Sequence, residues 1–343
     1  MVYKKRITHE YESTRQIPKN LKDEHTYLFS NEFRKTIEET HVKETNNVTI
    51  SDSLLYKYKF ISLNPRYFKM DTEKWNLTQI SLKEFIKYFT NFKKYQRIEK
   101  ASWVIDDKSF NYFHWMTDVL SRIEMLKEFD LKEYPILLPA QFMQHSFIVE
   151  TLQLLDIPHI FYEQKKKYII NKLLLTTHAA DAGNYNNFLI NRVKKKLIEV
   201  AKSNFEENSP KKIWLSRTGQ DRRIVNNEEK ITEFLNKEGF NVINPENYSI
   251  VEQVNIFSNA DVVIAPHGAA LTNIMFMKKN SKVMEIRIFS DSVRNAFFSL
   301  SSEFALSYYY FLAEAKSENL VEDLNINMEN FLEEYSKFKK GSN

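Results

Sequence analysis

Two groups of residues in this sequence are of the types and spacing that do chemistry. The first lies in the last third of the chain, where Ala265-Pro266-His267-Gly268-Ala269-Ala270-Leu271-Thr272-Asn273 runs from an apolar strand into a helix. Gly268 lets a backbone approach an anion with no Cβ in the way. The helix start that follows directs free amides and a positive dipole end at the same point, and the small Ala269 and Ala270 keep the approach open. Arg217 and Arg222, after an earlier strand, can clamp phosphate oxygens in a bidentate fork. Glu285, at the end of a later strand, is placed to accept hydrogen bonds from ribose hydroxyls. The chemistry that suits all of these is binding of a nucleoside diphosphate. The alternative for His267 is an imidazole that only braces the turn.

The second group is Asn111-Tyr112-Phe113-His114-Trp115-Met116-Thr117-Asp118. On a helix, positions 111, 114 and 118 share a face, being three and four residues apart. An imidazole or a carboxylate there can take a proton from a hydroxyl, as group transfer to an alcohol requires. Equally, Asn111 can be a helix cap, with His114 and Asp118 stabilising the helix and its neighbours.

Composition narrows the ligand chemistry. The chain has five glycines (Gly183, Gly219, Gly239, Gly268 and Gly341), and they assemble neither a Gly-x-Gly-x-x-Gly turn nor a Walker-type loop. Phosphate contacts must therefore come from single-glycine turns, helix starts and arginines. The absence of cysteine excludes disulfides, thiolate-bound zinc and thiol nucleophiles. With 49 Lys and Arg against 45 Asp and Glu, the net charge of +4 is too small for a dedicated nucleic-acid binder, and no basic stripe interleaved with aromatics appears. Basic runs such as Lys194-Lys195-Lys196 suit solvated faces, with peripheral contact at the inner membrane surface the other option. No apolar run reaches the ~20 residues of a membrane span, and the basic N-terminus lacks the apolar segment of a signal peptide. The expectation is a cytoplasmic protein.

The elements that must position these groups follow from periodicity. Ser81 with Glu84 forms a capping box ahead of apolar residues at helical spacing, from Leu82 to Phe92. Strands are expected at 103–105, 135–138, 157–162 and 173–177, and helices at 111–128, 141–155 and 187–204. Glu206 to Pro210 is polar and closed by proline, which suggests a boundary. Beyond it, strands at 213–216, 240–243, 261–265, 283–286 and 305–310 alternate with helices, one capped by Asn226 and Glu229 and ending at Gly239, the next capped by Ser249 and Glu252. Alternation of this kind implies a doubly wound parallel sheet, whose ligands bind at the carboxyl ends of the strands. The domains expected are 1–208 (with 1–70 a poorly defined extension), 209–325, and a last helix in 326–343 that packs back on the first domain.

In these motifs the chain resembles glycosyltransferase family 61. The resemblance rests on Asn111-x-x-His114-Trp115-x-x-Asp118, Trp214-Leu215-Ser216-Arg217 with Arg222-Arg223-Ile224 and Asn227-Glu228, Pro266 to Asn273, and Val283-Met284-Glu285-Ile286. It implies a GT-B-like α/β architecture, two Rossmann-like doubly wound domains facing across a cleft, and inversion at the anomeric carbon. The implied partners are a nucleotide-sugar donor and a glycan or lipid-linked glycan acceptor, as in bacterial capsule or other surface polysaccharide synthesis. Arg217, His267, Gly268, Asn273 and Glu285 would contact the donor; Asn111, His114 and Asp118 would face the acceptor. No Asp-x-Asp motif occurs, so neither a metal nor another cofactor is expected. The rival readings are a nucleotide-sugar epimerase or hydrolase on the same fold, and a binding module without catalysis.

Overall fold

A computed structural model describes residues 4–51, 54–57, 61–62, 95–164, 166–202, 209–219, 223–315 and 322–341. The expected capping box at 81–84 with its helix, most of the 206–210 boundary, and Arg222 lie outside the described residues. In chain order the strands of the first half are β1 (Lys4–Thr8), β2 (Tyr11–Thr14), β3 (Arg34–Ile37), β4 (Thr40–Ser51), β5 (Leu54–Lys57), β6 (Ile61–Ser62), β7 (Tyr95–Trp103), β8 (Ile136–Pro139), β9 (His159–Tyr162) and β10 (Lys167–Thr176). Those of the second half are β11 (Lys212–Leu215), β12 (Asn241–Ile243), β13 (Val262–Pro266), β14 (Lys282–Ile288), β15 (Ser307–Ala315) and β16 (Leu324–Asn325).

Two compact units divide the chain, one of residues 1–11 and 37–193, the other of 12–36 and 194–343. The division differs from the expected one at both ends of the first domain. The early segment around Leu28, Phe29 and Phe33 packs on Phe298, Tyr308 and Tyr310, so hydrophobic burial ties 12–36 to the second unit.

The first unit is a mixed sheet in the order β6-β5-β4-β10-β7-β8-β9, with β1 on β4. Only β10, β7, β8 and β9 are mutually parallel; β4 pairs antiparallel with β10 from Ser51 opposite Lys167 to Val42 opposite Thr176. The doubly wound expectation thus holds for the parallel half alone. Strand β4 escaped the periodicity because it is rich in Thr, Asn, Lys and Glu, and its Asn46-Asn47 pair reads as a turn. Within the parallel half, β8 lies on one side of β7 and β10 on the other, so the chain order reverses there. Helix α1 follows β7; it consists of Tyr112–His114, a wide π turn Trp115–Val119 and Leu120–Met125. Helices α2 (Ser146–Leu154) and α3 (Asn187–Ala201) follow among the described residues, and the unit boundary falls inside α3.

The second unit has the strand order β12-β11-β13-β14-β15-β16. Strands β11 to β15 are parallel, and β16 is antiparallel to β15. Among the described residues the helices are α4 (Glu228–Lys237), α5 (Ile250–Asn259), α6 (Ala296–Glu303) and α7 (Met328–Lys340), and the helix expected after Gly268 is a 3-10 helix at Ala269–Phe276. Helix α5 carries the expected capping box, Ser249 with Glu252, and Gly239 ends α4 in the left-handed region at φ 82°. Asn227 rather than Asn226 precedes α4, and its side chain bonds to Ile326 in both directions instead of capping.

Consecutive residues of β15 serve opposite faces, as the period of a strand requires. Tyr308 and Tyr310 join Phe29 and Phe298 on one side, while Tyr309 and Phe311 join Met284, Phe331, Tyr335 and Phe338 on the other. Helix α7 therefore packs on its own unit's sheet, not on the first domain as expected. No helix among the described residues is long and apolar enough to cross a membrane.

Candidate active site

In the second unit the chain order reverses at β11, with β12 on one side and β13 on the other. The segments leaving the carboxyl ends of β11 and β13 meet at this reversal, the usual ligand position in such sheets. One carries Arg217 and Arg223; the other carries His267-Gly268. The Arg217 guanidinium packs directly on Gly268, and Arg223 donates from Nη1 to the His267 carbonyl at 3.1 Å. Gly268 has φ 175°, extended backbone open to any residue, so the close approach is what needs glycine. Glu228, buried at the start of α4, accepts the Arg217 amide at 2.8 Å and holds the loop in place.

Three guanidiniums crowd this turn, with Glu228 and Glu246 acting on Arg217 and with Asp291 and Glu285 on Arg223. Burial lowers the pKa of Arg217. Burial, then Arg294 and Arg217, bring Arg223 down to about 10. Arg223 also sits at φ 54°, a region that costs a non-glycine residue ~1 kcal/mol or more. Its Nε is buried without a hydrogen-bond partner. Crowded guanidiniums on a strained loop form a place where an anion relieves repulsion.

Glu285 is not at a strand end. It sits within β14, wholly buried, with one carboxylate oxygen on His267 Nδ1 and the other accepting from Tyr308 at 2.6 Å. A ribose hydroxyl has no access to it; the carboxylate orients His267 instead. Burial would oppose its charge, but His267, Arg287 and the Tyr308 hydroxyl hold its pKa low. Burial in turn keeps the His267 imidazole below its usual range, against the pull of Glu285. Arg287, also buried, continues the network to Asn295 at 2.8 Å and to the Asp291 carbonyl at 2.6 Å. Asn273 is likewise internal, donating to Gln253 at 3.0 Å and to the Ala270 carbonyl at 3.2 Å. Ala269 is half-buried beside Gly268. The structure thus brings together Arg217, His267, Gly268 and Ala269, and sets Glu285 and Asn273 behind them.

In the first unit a cavity opens past the carboxyl ends of β7 and β10, about 20 Å³ in volume and lined by Asp106, His114, Thr117, Asp118, His178 and residues 179–186. It has room for about one water. His114 and Asp118 both line it. Asn111 does not line it; its side chain caps α1 by accepting from the Phe113 amide at 3.0 Å. Asp118 lies within the π turn, and His114 immediately precedes it. Leu120 there bonds back five residues to Trp115, and Thr117 Oγ1 donates to the Phe113 carbonyl at 2.7 Å, serving an acceptor within the widened turn. Burial lowers the His114 pKa, with Asp106 and Asp118 opposing. Asp118 is held low despite burial, by His178, by Arg122 and by the Ala179 amide.

Asp106, Asp118 and His178 present ligand-type atoms within 4.8 Å of one another, a spacing that a metal ion can use. The buried Arg122 already faces both carboxylates, at 3.5 Å from Asp118 and 3.9 Å from Asp106, and supplies positive charge to them. Sequence reasoning did not single out Asp106, His178, Arg122, Arg294 or Tyr308 as site residues, and Arg223 entered only as part of the Arg222-Arg223-Ile224 motif. Asp106 and His178 had a signal, since each follows a predicted strand at its carboxyl end, the rule that picked out Arg217.

The match to the family described as Glycosyltransferase 61 extends over residues 112–284, from α1 of the first unit to the start of β14 in the second. No curated protein matches the chain. The matched span takes in both His114 with Asp118 and Arg217 with the His267-Gly268 turn, and on this half of its length the chain belongs to glycosyltransferase family 61.

Proposed function

We propose that this glycosyltransferase moves a sugar from a nucleotide-diphosphate donor to a glycan hydroxyl with inversion, and without a metal. The observation that supports it most is the packing of Arg217 on Gly268 beside Arg223 at the strand-order reversal of the second unit. Guanidiniums that converge on a backbone turn suit a diphosphate, the leaving group of such a transfer, and Gly268 makes room for the Arg217 guanidinium there. The charge that grows on it is met by Arg217, Arg223 and the His267-Gly268 turn, so arginines do the work that a bridging metal does elsewhere. The acceptor side belongs to the first unit, where an imidazole of the His114–Asp118 cavity takes the hydroxyl proton. The units then act as the two halves of a GT-B enzyme, with a bacterial surface polysaccharide as the acceptor class that the resemblance implies.

A thermal-shift panel of nucleoside diphosphates and nucleotide sugars tests this reading. A ligand at 100 times its Kd adds ~2.7 kcal/mol of stability and raises the melting temperature. The expected result is a shift with one nucleobase, larger for a nucleotide sugar than for its monophosphate. A flat panel at millimolar ligand overturns the donor assignment.

A further inference from the structure

We infer that His178, oriented by Asp118, is the general base of the transfer, an inference that rests on the transferase reading above. Its Nδ1 lies 3.4 Å from Asp118 Oδ2 and 3.8 Å from Asp106 Oδ2, so two carboxylates face the same ring nitrogen. Such a pairing fixes the proton on Nδ1 and leaves the lone pair on Nε2. That Nε2 is buried with no hydrogen-bond partner, a rare state for a polar atom in a folded protein. His178 lines the cavity that also holds His114, at the carboxyl ends of β7 and β10.

The charges around the ring support the role. Asp106 lies on the loop after β7, Asp118 and Arg122 are on α1, and His114 faces the cavity from the same helix. Two carboxylates against one guanidinium leave net negative charge beside the ring, and Asp181 lines the same cavity, so a proton taken up there meets opposite charge. Asp118 itself is the poorer base, since His178, Arg122 and the Ala179 amide, at 3.5 Å, stabilise its charged form. In the step, the acceptor O–H proton passes to Nε2 as the acceptor oxygen bonds to the anomeric carbon. The bond from that carbon to the diphosphate oxygen breaks, and its electron pair leaves with the nucleoside diphosphate. His114 is left to position the acceptor.

Two measurements on the full chain test this. In long-range proton–nitrogen spectra of protein labelled at histidine nitrogen, the signals lost in His178→Gln should belong to a neutral ring protonated at Nδ1, and Asp118→Asn should disturb them. A ring protonated at Nε2 overturns the inference, because that nitrogen would then be a donor. Turnover of the nucleotide sugar that the panel selects, with water and methyl glycosides as acceptors, should fall about 100-fold or more in His178→Ala. Added imidazole should restore part of it, and the nucleoside diphosphate thermal shift should be kept. Wild-type turnover in His178→Ala, or loss that imidazole leaves untouched, overturns the base assignment while the transferase stands. A wild-type protein that binds the nucleotide and turns over no sugar overturns the transferase reading, and this inference with it.

Discussion

The guanidinium of Arg217 occupies the space that a Cβ on residue 268 would need. Arginine and glycine are 51 positions apart in number and belong to segments leaving adjacent parallel strands, β11 and β13. Each accounts for the other: the glycine exists so that the arginine can lie on the backbone, and the arginine is held where the backbone turns. Gly268→Ala should therefore push Arg217 aside and weaken nucleoside diphosphate binding by about 10-fold or more, the value of a lost charge-assisted hydrogen bond. Because φ at 268 is extended, the melting temperature without ligand should hardly change. Calorimetric titration with the diphosphate identified by the panel checks both halves of this expectation.

Arg223 offers a complementary test. Its backbone at φ 54° favours glycine, while its guanidinium serves the turn. Arg223→Gly should leave the free protein as stable as before, or more so by up to ~1 kcal/mol, yet weaken the diphosphate. A variant that binds as tightly as the wild type would remove Arg223 from the donor site.

His114 and Arg217 should separate cleanly. Arg217→Ala should lower nucleotide affinity, whereas His114→Ala should spare the thermal shift and reduce transfer. Equal loss of nucleotide binding in both variants would contradict a donor site confined to the second unit.

Arg122 is wholly buried, donates to Thr176 at 2.9 Å and faces Asp106 and Asp118. Removing one partner of a buried ion pair typically costs ~3–5 kcal/mol, because the remaining charges are left uncompensated. Arg122→Met should show a loss of that order in urea unfolding. A loss near zero would mean that the carboxylates are neutral in the folded protein.

Acid should weaken the fold through a definite set of groups. His25, His41, His114 and His267 are all held below the usual 6.5, burial being the leading cause in each. As pH drops below about 6.5 the unfolded chain takes up protons that the folded one refuses, so stability is complete above that value and declines toward the folded pKa values. The depressed carboxyls of Glu285 and Asp118 add a second loss lower down, as pH falls below the usual carboxylate range and through their folded values. Melting curves from pH 8 to about pH 2 should show a falling midpoint in both windows, and an unchanged midpoint near pH 5.5 would refute the first.

The alternation of strands and helices beyond residue 210, the capping box at Ser249, the glycine stop at Gly239 and the turn at His267-Gly268 were legible from the sequence alone. Each depends on neighbours within a few positions, and local periodicity and capping encode such features directly. Tertiary structure decided what lies behind and beside them. Glu285 reads as a strand-end acceptor until β14 is seen to run on to Ile288 and its two oxygens to be taken by His267 and Tyr308. The early residues read as an extension until Phe29 is buried against Phe298 and Tyr310. Asp118 and His178 are 60 positions apart in number and form a pair only because β10 lies beside β7. Pairing of distant strands has no local signature, so the partners of a buried charge are set by packing and not by spacing. For the same reason the Arg217–Gly268 contact was invisible, although both residues were already singled out: the sequence placed each at the end of a strand, and only the order of the strands put them in touch.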